Sequence, residues 1–260
     1  RLAPPMIGLG LLEAVPESEI VANADPNDTN GDGIMGKANY VYDVTTKSVQ
    51  LGRFGWKANT ASVLTQVATA FNQDMGLTSS IIPVESSFGQ SQYDGLKDDP
   101  ELPDTTLNAV KFYAQTLAVP ARRNTTDATV KRGEQLFIQA KCANCHRQTL
   151  TTGVNVAFSP VSNQVIHPYT DLLVHNMGPG LADNRPDYKA GGQDWRTAPL
   201  WGLGLYETVN SPGYYLHDGR ARSLIEAIMW HGGEAAASQA YFSNLSTTDR
   251  NALLKFLASL

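Results

Sequence analysis

Residues 142–146 read Cys142-Ala143-Asn144-Cys145-His146, and they contain both cysteines of the 260-residue chain. Two thiols about one helical turn apart, followed at once by a histidine, form the C-x-x-C-H pattern of covalent haem attachment. Each thiol can add across one haem vinyl group, and His146 then reaches the iron. A C-x-x-C pair alone would be ambiguous between a redox dithiol and half of a zinc site. We therefore predict one covalent haem c bound by Cys142, Cys145 and His146.

The sequence on either side of the motif predicts a c-type cytochrome domain of the class I type. Apolar residues recur every three or four positions over 130–140, which indicates a helix that runs into the motif and is capped by Thr126 or Asp127. A capping-box-like sequence at 246–249 begins a second amphipathic helix that closes the chain. We expect a mainly α fold with extensive loops and few or short strands.

A six-coordinate haem needs a second axial ligand, usually Met or His. Ser223-Leu224-Ile225-Glu226 reads as a capping box, and in the helix that follows, His231 shares a face with Leu224, Ala227 and Ile228. We predict His231 as the ligand, with Met177 in reserve. The alternative for His231 is a histidine that is favoured only by the helix dipole. The other candidates after the motif are His167, His175, His217 and Met229.

Four further residues are candidates for contact with the cofactor: Trp201, His217, Arg220 and Arg222. Trp201 could pack on the porphyrin, although packing in the core is the alternative role. Arg220 and Arg222 lie close to His217 and could pair with the haem propionates, which favour bidentate cations. Solvated positions on the surface are the alternative for both arginines.

The segment 1–13 returns as 196–207 with one residue of gap, including Gly8-Leu9-Gly10 against Gly202-Leu203-Gly204. Such a repeat predicts two equivalent domains. We assign 1–118 to the tail of a first cytochrome-like domain and 119–260 to the cytochrome domain with the haem. By analogy, a second haem motif would precede Arg1, so that the chain is either a fragment or the product of processing.

Two other stretches of the first part have local signatures. Asp28-Thr29-Asn30-Gly31-Asp32-Gly33 fits the start of an EF-hand-type loop, and predicts calcium on Asp28, Asn30 and Asp32. The twelfth position is Asn39 instead of the bidentate Glu, and an acidic loop without metal is the rival interpretation. Residues 83–105 are polar and rich in turn formers, which indicates a long surface loop before a helix at about 107–117.

Composition narrows the class of protein. The 20 basic and 25 acidic residues give a net charge of −5, which argues against nucleic-acid binding. Hydrophobic residues make up 42% of the chain, enough for a packed core. No apolar run approaches the ~18–20 residues of a membrane span. The sequence leaves the oligomeric state open.

These residues together resemble the bacterial di-haem cytochrome c peroxidase superfamily, in particular the di-haem oxidoreductase branch that is often labelled thiol oxidoreductase. The resemblance rests on segments 8–13, 52–58, 169–173, 195–204, Leu216-His217-Asp218-Gly219-Arg220 and Trp230-His231-Gly232-Gly233-Glu234-Ala235. It implies two haems, the peroxidatic one in the N-terminal domain, and calcium between the haem domains. Where superfamily peroxidases have a methionine ligand this chain has His231, which implies a bis-histidine haem of lower reduction potential.

The resemblance implies an electron-transfer haem domain of a peroxidase-like oxidoreductase, with a small cytochrome or another electron carrier as redox partner. The alternatives are a di-haem peroxidase that reduces hydrogen peroxide with electrons from a small cytochrome, and a relay subunit of a multi-haem assembly. We expect an enzyme only if an upstream haem domain is present, and otherwise an electron carrier. Covalent haem attachment is completed outside the cytoplasm, so we expect a periplasmic or secreted location.

Overall fold

The computed structural model describes residues 1–155 and 157–260. Within them helices predominate and long connections separate the helices, as the sequence predicts. Five 3-10 turns accompany the α-helices. The α-helices are α1 (Leu9–Glu13), α2 (Glu17–Val21), α3 (Val63–Met75), α4 (Asp104–Thr116), α5 (Ala128–Gln139), α6 (Tyr206–Val209), α7 (Leu224–Met229), α8 (Ala236–Asn244) and α9 (Thr247–Leu257).

The strands are short and form three separate two-stranded antiparallel sheets in the described residues. Tyr40 pairs with Leu51 in the first sheet, Leu150 with Ile166 in the second, and His175 with Trp195 in the third. The third sheet lies next to the candidate site described below. The strands are β1 (Tyr40–Asp43), β2 (Ser48–Leu51), β3 (Leu150–Thr151), β4 (Val165–Ile166), β5 (Val174–Asn176) and β6 (Asp194–Arg196).

Local capping explains where three helices begin. The Asp127 carboxylate accepts hydrogen bonds from two backbone N–H groups of the first turn of α5. Ser223 accepts from the backbone of Glu226 at the start of α7, and Ser246 accepts from that of Asp249 at the start of α9. Side-chain oxygens at these positions satisfy N–H groups that the helix itself leaves free. Helix α4 begins three residues earlier than predicted, directly after Pro103.

Two groups of buried apolar side chains organise the fold. The first core contains residues of α1 to α4, such as Leu12 and Leu107, together with Leu172, Leu173 and Trp201 from the second part of the chain. The second core is built mainly from α5 and α9. Because the first core contains side chains from both sides of residue 118, the packing crosses the predicted boundary. The division at 118/119 stays a prediction.

Helices α5 and α9 touch at Gly133. A Cβ at this position would lie 2.0 Å from the carbonyl oxygen of Ala252 and 2.7 Å from Cβ of Phe256. Glycine therefore lets the two backbones approach directly. This crossing fixes the end of α5, from which the C-x-x-C-H motif continues.

The two copies of the sequence repeat have equivalent local geometry. Gly8 at φ 70° precedes α1, and Gly202 at φ 76° precedes a 3-10 turn, Leu203–Leu205. The left-handed conformation favours glycine at both positions. The space next to Gly8 is filled by Trp201, and the space next to Gly202 by Ile7. Each glycine therefore packs against the residue that precedes the other one.

The second glycines of the two copies are equivalent as well. Gly10 lies against the backbone carbonyl of Gln115 near the end of α4, and Gly204 lies against that of Ala258, directly after α9. Helices α4 and α9 thus occupy corresponding places relative to the two copies.

In the described residues, no helix has the length and apolar character required to cross a membrane.

Candidate functional site

A deep, mainly apolar cavity lies beside the second core. Cys142, Cys145, His146 and His231 all line it, which brings the predicted attachment motif and the predicted distal ligand together. The cavity also borders the first residues of the chain. Its apolar wall includes Leu2, Pro5, Trp56, Phe137, Leu200, Leu224, Ile228 and Leu257. Such a lining suits a large, flat, apolar ligand that is held by a few polar groups.

The attachment motif forms a tight turn at the end of α5. Lys141 has φ 61°, which ends the helical path, and Cys142–Asn144 form a 3-10 turn. The backbone N–H of His146 donates to the carbonyl of Cys142 at 2.9 Å. Burial raises the pKa of the Cys142 thiol to about 12. Both cysteines are free, and the Cys142 thiol is neutral at physiological pH.

His146 and His231 approach each other inside the cavity. Their ring centroids are 6.5 Å apart, with 44° between the ring planes. Nδ1 of His146 lies 2.9 Å from the carbonyl oxygen of Tyr169, and Nδ1 of His231 lies 2.7 Å from that of Ala227. A carbonyl only accepts, so Nδ1 donates in both rings. Each neutral ring therefore keeps its lone pair on Nε2.

Burial keeps both imidazoles neutral. Burial, together with the neighbouring His231, lowers the pKa of His146 to about 4. Burial likewise lowers the pKa of His231. A neutral imidazole with a free Nε2 is the form in which histidine binds a metal.

Helix α7 carries His231 to the cavity. Ser223 caps the helix, and Leu224, Ala227 and Ile228 line the cavity together with His231, as their helical phase predicts. Met229 is exposed. Met177, the reserve ligand, also lines the cavity.

The remaining histidines have different environments. His167 is exposed, with Nδ1 3.1 Å from the Thr149 hydroxyl. His217 is buried in the cavity wall and stacks on Trp195 with ring centroids 3.6 Å apart. The Lys57 ammonium lies over the Trp195 ring, 4.3 Å from its centroid. His217 therefore contributes to an aromatic wall of the cavity.

Three predicted cofactor contacts lie elsewhere. Trp201 belongs to the first core and does not line the cavity, because Gly8 leaves room for its ring there. Arg220 pairs with Asp218 and lies over the Trp230 ring. Arg222 is mostly exposed and pairs with Glu226 one turn along α7. Neither arginine lines the cavity, and their pairing with propionates stays a prediction.

A buried ionic triad, which is not predicted as a group from the sequence although His175 is among the candidate axial ligands, lies beside the motif and consists of Asp171, His175 and Glu234. Nε2 of His175 is 2.8 Å from Asp171 Oδ2, and Nδ1 is 2.8 Å from Glu234 Oε2. Nδ1 also lies 3.5 Å from Sγ of Cys145. The available signal was the pair of ionisable residues, Asp171 and His175, inside an otherwise apolar stretch.

The predicted calcium loop forms an exposed turn with internal hydrogen bonds. Asp28 accepts from the backbone of Gly33, Asn30 from that of Asp32, and Asp32 from that of Ile34. The second oxygen of Asp32 accepts from the Asn144 amide at 3.2 Å, which links the loop to the haem motif. In the described part of the chain, ligand atoms of Cys145, Asp171 and His175 lie within 4.8 Å of one another, whereas the loop forms no such group of three.

Comparison with known families matches residues 1–260 to the family described as "Di-haem oxidoreductase, putative peroxidase". Curated proteins give no match to the chain. Among solved structures, hydrazine synthase of Kuenenia stuttgartiensis, pressurized with xenon, is similar at 18% identity and a TM-score of 0.40. The alignment covers 61% of this chain and 56% of that chain, so this chain spans little more than half the length of that one.

Proposed function

Because the chain belongs to the di-haem oxidoreductase family, we propose that it holds one covalent haem in the cavity and transfers electrons through it. Cys142 and Cys145 would hold the group through thioether bonds, and His146 and His231 would be its axial ligands. A bound haem supplies one-electron exchange between ferric and ferrous iron. The protein provides the ligands, the apolar surroundings and the exclusion of water.

The separation of the two imidazoles is the observation that carries this proposal. An imidazole nitrogen binds a first-row metal ion at about 2 Å, and the ring centroid lies roughly 1.1 Å behind it, so two axial rings on one ion have centroids roughly 6.2 Å apart. The observed 6.5 Å between His146 and His231 agrees with this value.

The hydrogen bonds of both rings support the same assignment. Metal-binding histidines nearly always donate their other N–H to a carboxylate, carbonyl or water, which fixes the ring and its tautomer. Tyr169 and Ala227 supply such carbonyls to His146 and His231. Two histidine ligands would give a lower reduction potential than a histidine and a methionine, because thioether ligation raises the potential.

Haem content per chain and the visible spectrum test the proposal. We expect one haem per chain and a low-spin spectrum. His231→Ala should convert the low-spin spectrum to a high-spin one that added imidazole reverses, because one axial position becomes free. An unaltered low-spin spectrum would remove His231 as the ligand.

Two control variants accompany this measurement. His167→Ala removes an exposed histidine outside the cavity and should leave the spectrum unchanged. Met177→Leu tests the reserve ligand, and a high-spin spectrum in this variant instead of in His231→Ala would reassign the axial position.

Reduction of hydrogen peroxide is the second candidate function, and the family description favours it. If His146 and His231 both bind the iron, the haem would have no free position for peroxide. Peroxidase activity would therefore depend on a second haem. A low-spin spectrum that peroxide and cyanide leave unchanged supports a relay, whereas a high-spin component that reacts supports a peroxidase.

The proposal also covers the partner and the location of the protein. We propose a small cytochrome or another electron carrier as the redox partner, and a periplasmic or secreted location. A relay role in a multi-haem assembly is the third alternative function. Calcium on Asp28, Asn30 and Asp32 is proposed as well. Titration calorimetry with Ca²⁺ tests it, since Asp28→Asn should abolish a binding signal that the native chain gives.

A further inference from the structure

The ionic triad connects the two segments that carry the proposed axial ligands. Cys145, which precedes His146, lies 3.5 Å from Nδ1 of His175. Glu234, which follows His231 by three residues, lies 2.8 Å from the same nitrogen. His175 is therefore placed between the attachment motif and the end of the distal ligand segment.

Burial makes the triad unusual. The exposed fractions of the His175, Asp171 and Glu234 side chains are 3%, 1% and 3%. Buried charges are tolerated when they are paired and hydrogen-bonded. The Glu234 carboxylate also accepts hydrogen bonds from the backbone N–H groups of Asn176 at 2.8 Å and Met35 at 2.9 Å, which help to stabilise its charge.

The triad has more negative than positive charge. Burial alone would lower the pKa of His175, but hydrogen bonds to Asp171, Cys145 and Glu234 raise it to about 12. Burial opposes ionisation of Glu234 as well, yet His175 and backbone N–H groups hold its pKa below the usual range. The Asp171 carboxylate acts only as an acceptor, from His175 and from the backbone of Leu173. One imidazolium between two carboxylates leaves a net charge of −1.

We propose that the ionic triad is a positioning and potential-setting element, which ties the two ligand segments together and holds the haem at low potential through its buried negative charge. This inference rests on the proposed haem function. A fixed negative charge in a poorly screened interior favours ferric over ferrous iron. His175 and Glu234 act through their place beside Cys145, not by contact with the iron.

One further buried cation faces the triad. Arg196 lines the cavity; burial lowers its pKa to about 10, while Asp171 raises it, so that it stays charged. Its charge is common to the native protein and to every variant proposed here. Differences in midpoint potential between the native protein and the Glu234 or Asp171 variants therefore report on the carboxylates of the triad.

The test compares charge and shape at Glu234 in the full chain with its haem. Glu234→Gln keeps the shape and removes one negative charge, so we expect the midpoint potential to rise. We expect the equilibrium constant for reduction of ferric to ferrous haem to increase at least tenfold. This increase corresponds to a rise of about 59 mV in the midpoint potential of a one-electron couple. Glu234→Asp keeps the charge, so its equilibrium constant for haem reduction should stay within threefold of that of the native protein.

The control is Glu226→Gln, which removes a negative charge from the outside of α7, where Glu226 pairs with Arg222. This variant should also stay within threefold. If Glu234→Gln does not retain haem, Asp171→Asn removes the same charge at the other imidazole nitrogen, with the same expected rise. Spectroelectrochemical titration gives the potentials, and the low-spin spectrum reports the ligands.

Two results would overturn the inference. One is an unchanged potential in Glu234→Gln with its low-spin haem intact. The other is a rise of equal size in Glu234→Asp or in Glu226→Gln, which would show that the charge of the triad is not the cause. Failure of the proposed function would be recognised separately from failure of this inference, because the native protein itself would then show no covalent low-spin haem.

Discussion

Replacement of Gly133 by alanine tests the crossing of α5 and α9, on which the position of the motif depends. In an unobstructed helix this change is stabilising by about 1 kcal/mol, because alanine has the higher helix propensity. Here the added Cβ would lie 2.0 Å from the carbonyl oxygen of Ala252 and 2.7 Å from Cβ of Phe256. Neither contact is tolerated, so the helices must separate.

The magnitude follows from the balance of the two effects. Overpacking of a tight core costs typically 1–3 kcal/mol and occasionally more, and backbone atoms cannot move aside as a flexible side chain would. We therefore take the upper end of that range, about 3 kcal/mol, and subtraction of the gain in propensity leaves a net loss of about 2 kcal/mol in the free energy of unfolding. For a chain of this length that loss lowers Tm by roughly 4–8 °C.

Urea unfolding and thermal melts of the haem-loaded protein measure this loss. Lys131→Ala is the matched control, because Lys131 is exposed on α5 and alanine there adds no contact. Its stability should stay within about 0.5 kcal/mol of the native value. A Gly133→Ala variant as stable as the native protein would refute the close approach of the two helices.

Three further predictions concern single side chains. Ser223→Ala removes the cap of α7 and should lower the free energy of unfolding by about 1 kcal/mol in urea titrations. Lys57→Ala should cost about 2–3 kcal/mol in the same assay, because a fully buried ammonium that pairs with Asp183 at 3.1 Å is lost and leaves a cavity. The hydrogen bond from Lys255, together with those from the backbone of Val130 and Thr129, lowers the pKa of Asp127 to about 2, below its ordinary value of 3.8. The stabilisation is therefore present above pH 4 and lost as the pH falls towards 2, and Asp127→Asn should flatten the stability profile in that window. Equal profiles in native and variant protein would contradict this last prediction.

The features that the sequence predicts are those fixed by neighbours within one helical turn. Asp127, Ser223 and Ser246 cap helices through backbone groups two or three residues away, so a short window contains all the information. The turn at Cys142 is local in the same way. His231 reaches the cavity because the phase of α7 follows from its own apolar positions.

Features that depend on distant partners could not be predicted. Trp201 packs in the first core because Gly8, far away in sequence, leaves space for it. The role of His175 depends on Glu234, which lies 59 residues further along the chain. Arg222 is a different case, because its partner Glu226 stands only four residues away, a spacing at which charged side chains meet, whereas the partners predicted from the sequence were the haem propionates or solvent.

The reciprocal packing of Gly8 on Trp201 and of Gly202 on Ile7 bears on how the chain folds and resists proteolysis. The part before residue 118 has no complete interior of its own, because Leu172, Leu173 and Trp201 complete the first core. The two parts are thus expected to lose structure in one cooperative transition. A cofactor anchored at Cys142 and Cys145 would then protect even the residues before 118 from cleavage, although it touches few of them.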